Sequence, residues 1–152
     1  MQQNKIVSRQ RLAYGDRAVD GLLAGAGAGA LMIAVLLFLA LLSGERLSVL
    51  LGHFDPAQEG AALLGLLSHA AVSAIYGALF AVAYSWLVGR VRKLEPHMLV
   101  AALAYGLLIW LAAEFLFMPA VDSPLLAVPA WQFALAHAIY GLALGELLRR
   151  QR

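Results

Sequence analysis

Three ionisable side chains, His69, Glu114 and His137, lie inside long apolar stretches of the sequence. Such residues are rare within membrane-spanning segments, where a charged side chain at a helix centre costs about 2.5–3.5 kcal/mol, and they often mark functional sites. Two imidazoles and one carboxylate form the ligand set of mononuclear metal centres. Two histidines on facing helices can instead be the axial ligands of a b-type haem. A transition-metal site and a haem b site are therefore two hypotheses for these residues.

The same three side chains fit three other interpretations. They can bond to one another and to nearby hydroxyls simply to specify a helix bundle, at about 0.6 kcal/mol per interhelical hydrogen bond. They can relay protons or ions, although the stretches beyond Tyr76 and Tyr140 contain mainly Ala, Leu and Gly and offer no polar path. They can also hold a small apolar ligand between helices, such as a quinone, a carotenoid or a lipid.

The composition predicts the elements that position these residues. Of the 152 residues, 62% are hydrophobic and only 13% are charged, whereas soluble domains have roughly 25% charged residues. The mean hydropathy is +0.80, and each apolar stretch approaches or exceeds the ~20 residues that cross a bilayer as a helix. A water-soluble enzyme is excluded. We predict an all-helical integral membrane protein, a four-helix up-down bundle over residues 20–149 that follows a cytoplasmic segment 1–19, with spans at about 20–43, 61–89, 97–118 and 126–148.

The basic residues predict the orientation of these spans. Arg46 alone lies in a loop on one side, and the other Lys and Arg residues precede the first span, separate the second from the third, or follow the fourth. The positive-inside rule then places both termini in the cytoplasm. Topology explains the basic clusters, so no nucleic-acid partner is expected. The same topology leaves His53 and His97 exposed and outside the predicted site.

Helical spacing predicts that the three ionisable residues meet. In the alternating topology His69, Glu114 and His137 all fall in the outer half of the bilayer. Each shares a helical stripe with small or polar residues, which is typical of an inward face. With short connections the second and fourth spans are diagonal partners and the third lies beside both. We therefore expect a His69–Glu114–His137 cluster, with the Ser73 hydroxyl beside it and Tyr76 and Tyr140 below.

Glycines recur at the four-residue spacing that lets helix backbones approach closely. Such faces serve packing within the bundle, homo-oligomerisation, or docking on a larger membrane complex. The sequence leaves three functions open: a non-enzymatic membrane protein that binds a ligand at its polar cluster, an accessory subunit, or a small proton or solute transporter. The absence of cysteine excludes thiolate catalysis and disulfides. The packing glycines are Gly21, Gly25 and Gly29 in the first span and Gly141 and Gly145 in the fourth.

Short motifs give the chain a resemblance to a known group. The first span is rich in glycine, and His69 precedes a Tyr-Gly pair in the second. Met118-Pro119 ends the third span, and Ala136-His137 precedes Tyr140-Gly141 in the fourth. In these features residues 20–148 resemble small four-span bacterial membrane proteins of unknown function, including the YagU-like group. The resemblance implies location in the bacterial inner membrane and no established chemistry.

Overall fold

A computed structural model describes the backbone of residues 2–151 and the side chains of residues 14–151. Within that part all regular structure is helical, which confirms the predicted fold class at that level. Short 3₁₀ segments cover Arg92–His97 and Pro124–Ala127, and a π-helical segment covers Ala113–Phe117. The α-helices are α1 (Gln2–Ser43), α2 (Leu47–Gly52), α3 (Ala62–Arg90), α4 (Met98–Ala112), α5 (Met118–Ala120) and α6 (Ala130–Arg150).

Three helical stretches are long and apolar enough to cross a membrane: Tyr14–Ser43, Ala62–Arg90 and Arg92–Ala120. They are rich in Ala and Leu, which have high helix propensity, and many of their large apolar side chains lie on the outside of the bundle. Helix α1 runs from Gln2 without a break into its apolar part. Lys5, Arg9 and Arg11, which contribute to the predicted cytoplasmic position of the N-terminus, lie outside the described side chains.

Glycine brings α1 and α3 into backbone contact. A Cβ atom added to Gly25 would lie 2.8 Å from Cα of Gly77, and one added to Gly21 would lie 2.6 Å from Cα of Ala78. Gly29 continues the same face and lies against the Ser73 side chain. No larger residue fits at these positions unless the helices separate, so the small residues set the distance between α1 and α3.

Helices α4 and α6 approach in the same way. A Cβ atom on Gly106 would lie 3.1 Å from Cα of Gly141, and one on Gly145 would lie 2.8 Å from Cβ of Ala102. Helix α1 also packs on α6, which joins the two helix pairs, but α3 and α4 are not among the closely packed pairs. The order around the bundle is therefore α3, α1, α6, α4, with a cleft between α3 and α4.

We use the term loop end for the end of the bundle that carries residues 44–61 and 121–129. Helix α2 folds back onto α3, where the Leu51 carbonyl lies against Gly65, and Leu50 is fully buried. Nε2 of Gln58 donates to the Val121 carbonyl at 3.0 Å and so ties the two loops together. The loops thereby cover the end of the cleft.

Candidate functional site

A cavity of about 850 Å³ occupies the cleft between α3 and α4 at the loop end. Most of its lining is apolar, with a few polar side chains among the aliphatic and aromatic ones. A concave, mainly apolar space with a small number of converging polar groups is typical of a small-molecule site. The polar side chains at its wall are His53, Asp55, Gln58, Ser68, His69, Ser73, Tyr76, Tyr105, Ser123, His137 and Tyr140.

The structure brings His69 and His137 to this one cavity. They are 8% and 5% exposed, respectively, and both line its wall. Nε2 of His69 donates to the Gly29 carbonyl at 3.0 Å, and Nδ1 of His137 donates to the Phe133 carbonyl at 2.9 Å. A neutral imidazole has one donor and one acceptor nitrogen. Nδ1 of His69 and Nε2 of His137 are therefore the acceptors left for a bound molecule.

Tyrosines tie the cavity walls together beside the histidines. The Tyr140 hydroxyl of α6 donates to the Ser73 carbonyl of α3 at 2.8 Å. The Tyr105 hydroxyl of α4 donates to the Tyr76 carbonyl of α3 at 2.9 Å, and the Ser73 hydroxyl lies 3.5 Å from Nε2 of His69. Ser73, Tyr76 and Tyr140, the predicted neighbours of the histidines, thus all line the cavity. Tyr105 joins them and was not predicted, although glycine follows it directly, as it does Tyr76 and Tyr140.

Glu114 is not among the residues that line the cavity. It follows Gly106 and Trp110 at four-residue spacing, and Gly106 lies against α6 rather than facing α3. The π-helical turn at Ala113–Phe117 adds a residue to this part of the helix, so its side chains change direction. Oε2 of Glu114 is buried without a hydrogen-bond partner. Of the three predicted residues, the structure therefore places His69 and His137 at the cavity, beside tyrosines, and leaves Glu114 out of its lining.

Neither a metal ion nor haem fits the residues at the cavity. In the part of the chain with described side chains, no three His, Asp or Glu residues are placed to hold a metal. A haem on both histidines would have to use Nδ1 of His69, next to the side chain's own Cβ, because Nε2 is bonded to Gly29. No described Lys or Arg lines the cavity to meet the haem propionates.

The position of His53 differs from the predicted one. It was expected to be exposed and outside the site, but it is half-buried and lines the cavity. His53, Gln58 and Pro124 also line a second pocket of about 450 Å³ at the surface of the loop end. These three side chains separate the two spaces. The apolar run before His53 is the sequence signal for this position, because α2 packs on α3 and draws the loop inward.

Asp55 holds the covering loop in shape. Its Oδ2 accepts from the backbone N–H of Ala61 and its Oδ1 from that of Ala57, both at 3.0 Å. These N–H groups, that of Ala61 foremost, lower the pKa of Asp55 below its ordinary value of 3.8. The carboxylate is therefore ionised and fully bonded at neutral pH.

The loop is expected to lose this support in acid. The pKa of Asp55 is lower in the folded protein than its unfolded value of 3.8, so its hydrogen bonds stabilise the fold fully when the pH is above 3.8. This stabilisation is lost as the pH falls through the lower, folded-state pKa. The amide proton shifts of Ala57 and Ala61 should titrate together with a midpoint below 3.8. Asp55→Asn should abolish this titration. A midpoint at or above the ordinary value would contradict the assigned hydrogen bonds.

Comparison with known proteins gives one match. Residues 15–152 match the Family of unknown function (DUF6789). No curated protein and no solved structure matches the chain. The match covers nearly all of the described residues, including the whole cavity, and it does not connect the chain to the YagU-like group. The chain therefore belongs to DUF6789, a family of unknown function.

Proposed function

We propose that the chain is a four-span protein of the bacterial inner membrane, with both termini in the cytoplasm and the loop end outside. The three long apolar helices and the apolar side chains on their outer surface support membrane insertion. Helix α6, with 21 residues, is about 31 Å long at 1.5 Å per residue, close to the hydrocarbon thickness of a bilayer. Its most polar central residue, His137, faces the protein interior. The distribution of Lys and Arg supports the orientation.

We infer that the protein binds a small, largely apolar molecule in the cavity between α3 and α4 and is not an enzyme. The cavity itself is the observation that carries this function. Val72 of α3 and Leu108 of α4 both line it, yet they are 49% and 63% exposed. The cavity therefore opens sideways between two apolar lips, on the surface that lipid would cover. A ligand dissolved in the membrane can reach the cavity without crossing water.

The alternative of an accessory subunit that docks through its glycine faces receives less support. Gly21 and Gly25 lie against α3, and Gly141 and Gly145 lie against α4, all within the same chain. These faces are already covered. Any partner would have to use another surface, and no described feature indicates which one.

Filling the cavity tests the proposed function. Ala112 lines the cavity, whereas its neighbour Leu111 is 42% exposed on the outside of the bundle. We expect Ala112→Trp to remove a co-purifying small molecule that Leu111→Trp retains. The measurement is organic extraction of protein purified in nanodiscs, followed by mass spectrometry of the extract normalised to protein. Equal recovery from both variants, or no molecule enriched over bulk lipid in the wild type, would contradict the proposal.

A further inference from the structure

We propose that the ligand presents an uncharged, hydroxyl-bearing head to the histidine pair, as an alcohol, a phenol or a hydroquinone does, while its apolar tail points toward the lips at Val72 and Leu108. This inference rests on the proposed binding function and specifies the chemistry of the molecule bound. It follows from the charges and from the hydrogen-bonding roles at the cavity wall.

Among the described residues, the cavity wall offers no cation to a ligand, and the lone pairs of its carboxylate are already engaged by backbone N–H groups. No described Lys or Arg lines it, so an anionic head such as a carboxylate or phosphate finds no cation. Its acidic residue, Asp55, already accepts from the backbone N–H groups of Ala57 and Ala61. A charge buried without a partner is costly. The head that fits is therefore neutral.

The histidine pair offers acceptors, and the Ser68, Ser73 and Tyr76 hydroxyls, which can both donate and accept, also line the wall. The free nitrogens of His69 and His137 accept hydrogen bonds, because the other nitrogen of each ring donates to a backbone carbonyl. The Tyr105 and Tyr140 hydroxyls also donate to carbonyls, so only their oxygen lone pairs remain. A ligand must donate in order to satisfy these groups, and buried polar groups left unpaired cost about 1–3 kcal/mol each. A hydroxyl donates, whereas an ether or a quinone carbonyl only accepts.

Ligands that share one tail and differ in the head test the inference. We would add 1-dodecanol, dodecyl methyl ether, dodecanoate or dodecyltrimethylammonium to the delipidated full-length protein in detergent and measure binding by native mass spectrometry. Dodecanol should bind about tenfold tighter than the ether, which corresponds to one hydrogen bond, and at least as much tighter than the two charged ligands, because an unpaired buried charge costs more. Equal or tighter binding of dodecanoate or of the ether would overturn the proposed head while the cavity function stands. If none of the four binds and Ala112→Trp has no effect on recovered ligand, the cavity function itself fails.

Variants at His137 locate the acceptor. His137→Phe keeps an aromatic ring of similar size and removes the acceptor, so the affinity for dodecanol should fall to that for the ether while the ether's affinity is unchanged. His97→Phe, at an exposed position away from the cavity, should leave both affinities as they are. Equal losses for alcohol and ether in His137→Phe would indicate a change of shape rather than a lost hydrogen bond and would overturn the assignment.

A hydroquinone and its oxidised quinone form extend the same test to ligands with phenolic heads. A decyl hydroquinone donates two hydrogen bonds, and its quinone form donates none. The acceptor nitrogens of the histidine pair should therefore favour the hydroquinone over the quinone, by about tenfold for one unsatisfied hydrogen bond. A preference for the quinone would overturn the inference.

Discussion

Replacing Gly77 with alanine is expected to destabilise the bundle by at least about 1–3 kcal/mol, the usual cost of overpacking a close contact. The new methyl group would fall on the Gly21 carbonyl oxygen and on Cα and N of Gly25, the last at 2.8 Å. These are backbone atoms, which cannot move aside as a side-chain tip can. Helices α1 and α3 would have to separate along their whole contact. Unfolding by heat or by SDS, followed by circular dichroism of the purified protein, measures the effect.

Gly89 provides the matched control on the same helix. A Cβ atom there has nothing within 4 Å. Gly89→Ala should therefore leave stability unchanged or raise it by the roughly 0.5–1 kcal/mol that alanine gains over glycine in a helix. If Gly77→Ala is as stable as Gly89→Ala, the α1–α3 contact is not as close as the structure has it.

Cross-linking the two lips of the cavity is expected to trap its ligand. The chain contains no cysteine, so Val72→Cys and Leu108→Cys introduce a single pair of thiols, one on α3 and one on α4. A short cleavable bis-thiosulfonate reagent that joins them would close the sideways opening. We expect release of a bound radiolabelled alcohol to slow by about tenfold or more, equivalent to about 1.4 kcal/mol on the barrier. Cleavage with reductant should restore the original rate.

Single-cysteine variants treated with the same reagent distinguish blocking from mere bulk. Each carries a modified lip but no bridge across the cleft, so release should stay close to the untreated rate. An unchanged rate in the cross-linked double variant would contradict sideways access. The ligand would then leave through the loop end, past His53 and Gln58, which stand between the cavity and the surface pocket.

The composition and the apolar runs were sufficient to predict the helical class, and three of the four predicted spans correspond to helices long and apolar enough to cross a membrane. In lipid, a helix provides hydrogen-bond partners for all backbone N–H and C=O groups within one segment, and runs of Ala and Leu favour that structure. Helix α6, the fourth predicted span, is not among these three, because Gln132, His137 and Glu146 lower its hydropathy. Its polar central residue is compatible with a buried position because the Phe133 carbonyl accepts from the ring. Periodicity also indicated that His69 and His137 face inward, since each shares its stripe with glycine or tyrosine.

The position of Glu114, which lies outside the cavity lining, could not be predicted from helical spacing. A regular α-helix keeps Gly106, Trp110 and Glu114 on one face, but that face packs on α6, and the π-helical turn then changes the register. The inward position of His53 depends on α2 folding back onto α3, a tertiary contact with no periodic signal. Both discrepancies arise where the chain departs from regular helix. The cleft itself depends on which helix pairs touch, and glycine spacing alone does not specify partners.

The cleft between α3 and α4 affects how the bundle can deform. Glycine contacts make the α1–α3 and α4–α6 pairs stiff, whereas the cleft between α3 and α4 is bridged by a hydrogen bond from Tyr105 to the Tyr76 carbonyl rather than by close packing. The bundle should therefore deform most easily by a change in the width of this cleft. Thick, branched or unsaturated tails can be accommodated by small changes in that width, while the hydrogen bond from Tyr140 to the Ser73 carbonyl holds α6 and α3 together at the histidine pair. We expect the protein to be tolerant of tail shape and strict about the head.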